Sequence, residues 1–209
     1  MWRNVAVSSW NEITFSRSEL PRVEILTRLE ELFAAYELKL GHRYRCLTEG
    51  IGVAADSLRA MSSMAAGWTG MSFDLTWPHG AEADVRLWRD DSGHHHLAIG
   101  EISGTFTARA DAAQLERFIN FCTEVCEALE MRYAVYDREP LSHAEKLAPA
   151  SRVRAQEILT RRCLTGKGGI LIVPVEELGE LDLGDAPPPH LRARTRTRSG
   201  LGRLIFVAG

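Results

Sequence analysis

The middle of the chain constrains the fold most, because three strand-like segments there are separated by two short turn signals. The segments cover residues 71–77, 83–90 and 95–107. The turns are Pro78-His79-Gly80 and Asp90-Asp91-Ser92-Gly93, in residue types that favour tight bends. Strands joined by such short turns pair antiparallel with their neighbours. The sequence therefore predicts a β-meander.

A strongly periodic helix is predicted after the meander, over residues 111–130. Its apolar residues recur every three or four positions and so line one face. Cys122 and Cys126 lie on that face, and we interpret both as core residues because free cysteine packs as a small hydrophobe. The stripe consists of Leu115, Phe118, Ile119, Cys122, Val125, Cys126 and Leu129.

The remaining elements are predicted on both sides of this unit. An opening strand or hairpin is expected at Val5, Val7, Ile13 and Phe15. A long helix follows, with Pro21 in its first turn, and Gly41 ends it. Further strands are predicted over 43–47, 133–137, 169–173, 191–198 and 204–207, and further helices over 53–66, 142–147 and 151–163. Strands and helices alternate without regular βαβ units. We therefore predict a single α+β domain over residues 1–209, with a mixed, largely antiparallel sheet and helices on one face.

Composition places the chain among ordinary globular proteins. It has 25 Lys and Arg against 28 Asp and Glu, a formal net charge of −3, and 45% of its 209 residues are hydrophobic. These values exclude disordered, collagen-like and coiled-coil classes. The longest apolar runs are far shorter than the roughly 18 residues of a membrane-spanning helix, and the start Met1-Trp2-Arg3-Asn4 opens no signal peptide. We expect a cytoplasmic protein.

A run of three histidines, His94-His95-His96, raises the question of a metal site. On a strand His94 and His96 would share one face, and a carboxylate such as Asp91 or Glu101 could join them. The spacing sets no third or fourth ligand. We therefore expect a polar hairpin end and no metal, with contact to a partner as the alternative.

The segment Gly50-Ile51-Gly52-Val53-Ala54-Ala55 matches the dinucleotide-binding fingerprint, and Asp74 stands at the distance of a ribose-binding acid. The preceding segment is charged, and no further βαβ units follow. We expect a glycine-bearing turn before a helix, and keep a small-molecule or nucleotide-binding enzyme that uses the Gly50–Gly52 turn as an alternative function. No nucleophile elbow, His-Glu-x-x-His or Cys-x-x-Cys motif occurs, so no catalytic residue is predicted and no cofactor is expected.

The C-terminal part changes in composition. Residues 175–190 form an acidic, proline-rich connection to a predicted hairpin over 191–208, in which Arg192, Arg194, Arg196 and Arg198 occupy alternate positions. As a strand, the four would line one face. Guanidinium rows bind phosphates or carboxylates, so a nucleic acid or a protein could dock there. The alternatives are a charged edge strand that prevents aggregation, or pairing with the acids of residues 176–185.

Two tryptophans stand beside the turns of the meander. Trp77 directly precedes Pro78-His79-Gly80, and Trp88 precedes the turn at Asp90. Such residues either cap the core or anchor a partner, since tryptophan is enriched at interfaces. We therefore predict two alternative docking surfaces: the turn end of the meander, with Trp77, His79, Asp90 and Asp91, or the arginine row, with Arg192, Arg194, Arg196 and Arg198.

The layout resembles that of immunity proteins from bacterial polymorphic toxin and type VI secretion systems. The similar parts are the sheet over 71–107, the helix over 111–130, the segment Tyr133-Ala134-Val135-Tyr136-Asp137 and the strand over 168–173. The resemblance implies a non-enzymatic cytoplasmic α+β protein that binds and occludes a cognate toxin. It supplies no functional residue. The expected function is thus protein binding, with an enzyme or a nucleic-acid-binding protein as alternatives and no membrane association.

Overall fold

The computed structural model describes residues 12–65, 67–78, 80, 82–100, 112–137, 169–178, 180, 191–196 and 200–206. Within these residues the chain forms ten strands and four helices. The strands are β1 (Glu12–Ser18), β2 (Lys39–Cys46), β3 (Gly52–Ala54), β4 (Gly70–Thr76), β5 (Glu82–Arg89), β6 (His95–Gly100), β7 (Tyr133–Asp137), β8 (Gly169–Pro174), β9 (Leu191–Arg196) and β10 (Leu201–Phe206). The helices are α1 (Arg22–Ala35), α2 (Leu58–Met64), α3 (Ala112–Ala128) and α4 (Val175–Leu178).

All ten described strands belong to one sheet, in the order β3-β2-β4-β5-β6-β1-β7-β8-β10-β9. Every described pairing is antiparallel. The predicted meander is confirmed as β4-β5-β6. The first described strand, β1, lies at the centre of the sheet, where Phe15 pairs with Leu97 on one side and Ala134 on the other. The α+β prediction is confirmed.

The hydrophobic core lies between one face of the sheet and helices α1, α2 and α3. Alternate strand residues such as Ile13, Phe15 and Phe73 point to this side and are buried, because side chains of a strand alternate between its faces. The predicted helical stripe is confirmed: Cys122 and Cys126 are buried together with Phe121. The ring of Phe121 lies at the centre of an aromatic cluster, with centroids 5.1 Å from Tyr36, 5.4 Å from Trp77 and 6.3 Å from Phe33.

Helix α1 ends at Ala35, six residues before the predicted stop at Gly41. The reason is a left-handed residue, Glu37, with φ of 59°. The amide of Leu38 then donates to the carbonyl of Phe33 at 2.8 Å, which closes the helix with a Schellman-type hydrogen bond. The chain enters β2 directly afterwards, so Gly41 is a strand residue and the prediction was wrong there.

The predicted helix over 53–66 is a second correction, because this segment divides into β3 and α2. Val53 pairs with Tyr44 of β2, so the chain is extended at this point. The helix begins only after Ser57, whose hydroxyl accepts a hydrogen bond of 3.0 Å from the amide of Ala60 and so caps the helix.

Several predicted elements lie outside the described residues. They are the strand at Val5 and Val7, the end of the third meander strand beyond Gly100, and the helices over 142–147 and 151–163. In the described part of the chain, the helices are too short or too polar to cross a membrane.

Candidate binding surface

The predicted turn residues do not form one surface. Trp77 and the turn after it lie at one end of β5, whereas Asp90 and Asp91 lie at the other end. Eight residues of extended chain separate the two turns, a distance of roughly 25 Å. Consecutive turns of an antiparallel meander fall at opposite ends, so these residues do not form one compact site.

Trp77 is a core residue in the structure. It is 9% exposed, and its ring centroid lies 5.8 Å from that of Phe118 in an edge-to-face arrangement. This position is the one expected of a tryptophan that caps the core. His79 lies outside the described residues.

Asp90 stabilises the β5–β6 turn through hydrogen bonds to residues of the same turn and of β6. Its carboxylate accepts hydrogen bonds from the amide of His94 and from Nε2 of His96, both at 2.9 Å. Its carbonyl accepts a third, of 3.0 Å, from the amide of Gly93. Asp91 is exposed. Of the two adjacent acids, Asp90 therefore shapes the turn and Asp91 is presented to solvent.

The histidine run differs from the polar hairpin end that the sequence suggests. His95 and His96 begin β6 and are 6% and 0% exposed, and only His94 is partly exposed. Asp90 provides the hydrogen bond that lets His96 enter the interior. Among the described residues, no three His, Cys, Asp or Glu side chains converge as metal ligands.

The predicted arginine row lies on β9, at the edge of the sheet opposite β3. The backbone of Arg194 pairs with Leu204 and that of Arg196 with Gly202, both of β10, while Arg198 lies outside the described residues. The row is six strand positions from β5, which separates it by about 29 Å from the meander turns.

Glu177 belongs to the acidic stretch 176–185, but its partners lie outside the arginine row. It accepts hydrogen bonds of 2.8 Å from both Arg132 and the Tyr133 hydroxyl. This acid therefore binds side chains at the start of β7.

The glycines of the dinucleotide-like segment lie in a hairpin that joins β2 to β3. Gly50 has φ of 68°, and its amide donates to the carbonyl of Cys46 at 3.0 Å. The dinucleotide fingerprint requires a parallel strand, a turn and a helix in that order. Here the turn joins two antiparallel strands, so that geometry is absent and the expected helix after the turn is a strand.

This β2–β3 hairpin carries two arginines on one face. Arg43 pairs with Ala54 and Arg45 with Gly52 across the hairpin, so each arginine side chain lies opposite a very small residue. Both arginines are exposed. Asp74 stands on the same face of the neighbouring strand β4, but it forms no ion pair with either.

Arg43 and Arg45 differ from the other arginines whose side chains the structure describes. In that part of the chain, theirs are the only arginine side chains that make no hydrogen bond, ion pair or aromatic contact. The others each have a partner: Arg17 with Tyr133, Arg22 with Ala65, Arg28 with Glu24, Arg59 with Glu31, Arg86 with Glu12, Arg89 with Gly93, Arg117 with Glu37, Arg132 with Glu177 and Arg203 with Thr123.

Two exposed apolar side chains lie at the turn of this hairpin. Leu47 is 40% exposed and Ile51 is 53% exposed, at the two sides of the hairpin turn. A shallow concavity of about 350 Å³ covers the hairpin and is lined by residues 43–45, Gly50 and residues 52–54. The hairpin thus exposes two guanidinium groups without partners on one face and apolar area at its turn.

The opposite face of the hairpin is fixed to the core through Tyr44. Its side chain is fully buried, with its ring centroid 5.6 Å from that of Phe73. Burial, with the nearby carboxylates of Glu30 and Asp56, raises the pKa of Tyr44. The amide of Leu47 also donates to the carbonyl of Gly70 at 3.0 Å. These contacts hold the hairpin in place while its other face stays exposed.

Comparison with protein-family models and with curated proteins gives no match.

Proposed function

We propose that this protein is a binding protein whose protein partner docks on the β2–β3 hairpin. The observation that carries the proposal is the pair Arg43 and Arg45, exposed and without partners on a hairpin whose turn also exposes Leu47 and Ile51. Arginine is enriched among the residues that supply most of the binding energy at protein interfaces, and removing exposed apolar side chains from water adds to that energy. An arginine without an intramolecular acid also needs no internal ion pair to be broken before it binds.

The expected partner carries acidic groups. Each guanidinium can form two parallel hydrogen bonds with a carboxylate, which gives both attraction and orientation. The immunity-protein resemblance makes a secreted toxin the most specific candidate for this partner, with occlusion of the toxin as the result. The turn at Asp91 and the arginine row on β9 are the competing docking surfaces.

The test is a comparison of charge-reversal variants in pull-downs from the native host. Arg43→Glu/Arg45→Glu should lose a partner that the wild type retains. The matched control is Arg59→Glu/Arg117→Glu, which makes the same change in charge at two exposed arginines that sit in surface ion pairs. Such pairs contribute little to stability, so the control should fold and retain the partner.

The purified partner then allows the affinity to be measured. We expect the hairpin variant to bind at least about tenfold more weakly and wild-type binding to weaken with rising salt. Leu47→Ser/Ile51→Ser should also weaken binding, with little change in its salt dependence. Where the gene immediately upstream encodes a large secreted toxin, that toxin is the first partner to test.

The same pull-down separates the competing surfaces. Retention of every partner by the hairpin variant refutes docking at this site. Loss in Arg194→Glu/Arg196→Glu instead would assign binding to β9, and loss in Asp91→Lys would assign it to the β5–β6 turn. A partner released by nuclease treatment would favour the nucleic-acid alternative.

A further inference from the structure

Strand β3 ends the described sheet and has one described neighbour, β2. The amide of Cys46 donates to the carbonyl of Ile51 at 2.8 Å, and the amide of Ala55 donates to the carbonyl of His42 at 3.2 Å. Hydrogen-bonded and non-hydrogen-bonded pairs alternate along an antiparallel ladder. The amide and carbonyl groups of Gly52 and Ala54 therefore point away from β2, along the outer edge of the sheet.

The two faces beside this edge differ in chemistry. On one face, Gly52 and Ala54 are so small that they leave space beside the side chains of Arg45 and Arg43. On the other face lie Ile51, which is exposed, and Val53, which is partly buried. Adjacent strands are about 4.8 Å apart, so an arginine of β2 can extend over the small residues of β3 and contact a strand placed beyond it.

We infer that β3 accepts an extended acidic segment of the partner as an added strand. This inference rests on the proposed function and specifies how the partner binds. The backbone of the segment would form hydrogen bonds with Gly52 and Ala54. Its acidic side chains, at alternate positions, would meet Arg43 and Arg45, and the apolar side chains between them would cover Ile51 and Val53. The recognised pattern is therefore an alternation of acidic and apolar residues.

A second copy of this chain is the less favourable occupant. Pairing of β3 with its own copy would place two pairs of arginines on one sheet face, where side chains extending over β3 from both copies would meet without acids between them, and like charges repel. A foreign acidic strand replaces that repulsion with attraction. Strand addition of this kind supplies affinity through the backbone and specificity through alternate side chains.

The experiment uses the full chain and a synthetic peptide of alternating glutamate and valine as the probe. The peptide should bind saturably, and a peptide of alternating lysine and valine should not. In NMR spectra of the isotope-labelled wild type, the amides of Gly52 and Ala54 should shift and exchange more slowly with solvent when the peptide is bound. This readout needs no variant and directly reports hydrogen bonds formed at the edge.

A proline substitution tests the same hydrogen bonds. Ala54→Pro removes an amide that faces away from β2, and proline is tolerated at such edge positions, so the hairpin should remain. We expect this variant to bind the peptide at least about tenfold more weakly. Ala54→Ser, which keeps the amide, should bind like the wild type.

Each contrary outcome has a defined meaning. No saturable binding up to about 1 mM peptide, equal binding of the lysine peptide, or unchanged Gly52 and Ala54 amides would overturn strand addition. Self-association of the wild type that Ala54→Pro abolishes would assign the edge to a second copy. A natural partner lost in Arg43→Glu/Arg45→Glu but retained in Ala54→Pro would preserve the proposed function while refuting this mode of binding.

Discussion

Nε2 of His96 lies 2.9 Å from a carboxylate oxygen of Asp90, and this hydrogen bond spans the base of the β5–β6 turn. The imidazole is fully buried and stacks on the indole of Trp88 with centroids 5.4 Å apart. Burial lowers the pKa of His96 despite the opposing influence of Asp90. The pKa of Asp90 is also lowered, because hydrogen bonds from His96 and His94 outweigh the opposing effect of burial. A neutral histidine that donates to a carboxylate therefore holds the turn.

The free energy of unfolding should decrease in mild acid because His95, the residue before His96, is buried and has a lowered pKa. Burial, with the charges of Arg22 and Arg89, lowers its pKa to about 4, against about 6.5 in the unfolded chain. Between these pH values the unfolded state binds more protons than the folded state. The contribution of His95 to the free energy of unfolding is therefore fully present above pH 6.5 and is lost as the pH falls towards 4. The loss is about 3 kcal/mol, from about 1.4 kcal/mol per pH unit.

Urea unfolding at pH values on both sides of this window measures the effect. His95→Gln should show a smaller difference in unfolding free energy between neutral and acidic pH than the wild type. His42→Gln, at an exposed histidine, is the control and should retain the wild-type difference. An equal acid response in all three proteins would contradict the assignment to His95.

The adjacent acids of the β5–β6 turn should respond differently to truncation. Asp90→Ala removes the acceptor for two hydrogen bonds and leaves buried His96 without its partner, so we expect a loss of about 1–3 kcal/mol. Asp91→Ala changes an exposed side chain, and its effect should stay within about 0.5 kcal/mol. Thermal and urea unfolding of the two variants check this, and equal stabilities would refute the role of Asp90 in the turn.

The thiols of α3 should resist modification in the native protein. Cys122 and Cys126 are 0% and 1% exposed, and burial raises the pKa of both. Since the thiolate is the reactive form, neither should react with a water-soluble reagent until the protein unfolds. Cys46→Ser/Cys163→Ser leaves only these two thiols for the assay. Rapid labelling of this variant under native conditions would show that α3 does not pack as described.

The sequence predicted the elements whose signal is local. The meander turns and the apolar stripe of α3 each follow from residue types over a few positions, and both were found near their predicted bounds. The end of α1 was not predictable in this way. Glu37 and Glu130 both adopt the left-handed conformation after a helix, with φ of 59° and 52°. A stop signal is sought in glycine or asparagine, whereas a glutamate takes this conformation here, so residue type does not mark the end of the helix.

The candidate surface could be predicted only in part. The alternation of Arg43, Tyr44, Arg45 and Cys46 indicated a strand, and Gly50 indicated a turn. The absence of acidic partners for the two arginines depends on which strands lie next to β2, and that register is a property of the whole sheet. For the same reason the sequence grouped Trp77 with Asp90, although β5 places them at opposite ends.

Three glycines around the hairpin should tolerate alanine to different degrees. At Gly70 an added Cβ would lie 2.8 Å from Cδ1 of Leu47 and 3.0 Å from Cβ of Trp88. Leu47 can move but the Trp88 Cβ cannot move without its backbone, so Gly70→Ala should cost about 1–3 kcal/mol through overpacking. At Gly52 a Cβ would meet only the carbonyl oxygen of Tyr44, at an ordinary 3.7 Å. Gly52→Ala should therefore be neutral or stabilise the protein by up to about 1 kcal/mol, because it restricts the unfolded chain.

At Gly50, the third glycine, the free space would tolerate an alanine but the backbone conformation disfavours one. No atom lies within 4 Å of an added Cβ, but its φ of 68° is left-handed, which costs an alanine roughly 1–2 kcal/mol. The expected order of unfolding free energies is Gly52→Ala highest, with Gly50→Ala and Gly70→Ala both below the wild type. Urea denaturation of the three variants measures this order. A destabilised Gly52→Ala protein would show that the space beside Gly52 is filled by packed atoms. Arg43 and Arg45 would then have no room to contact a partner strand there, as the further inference requires.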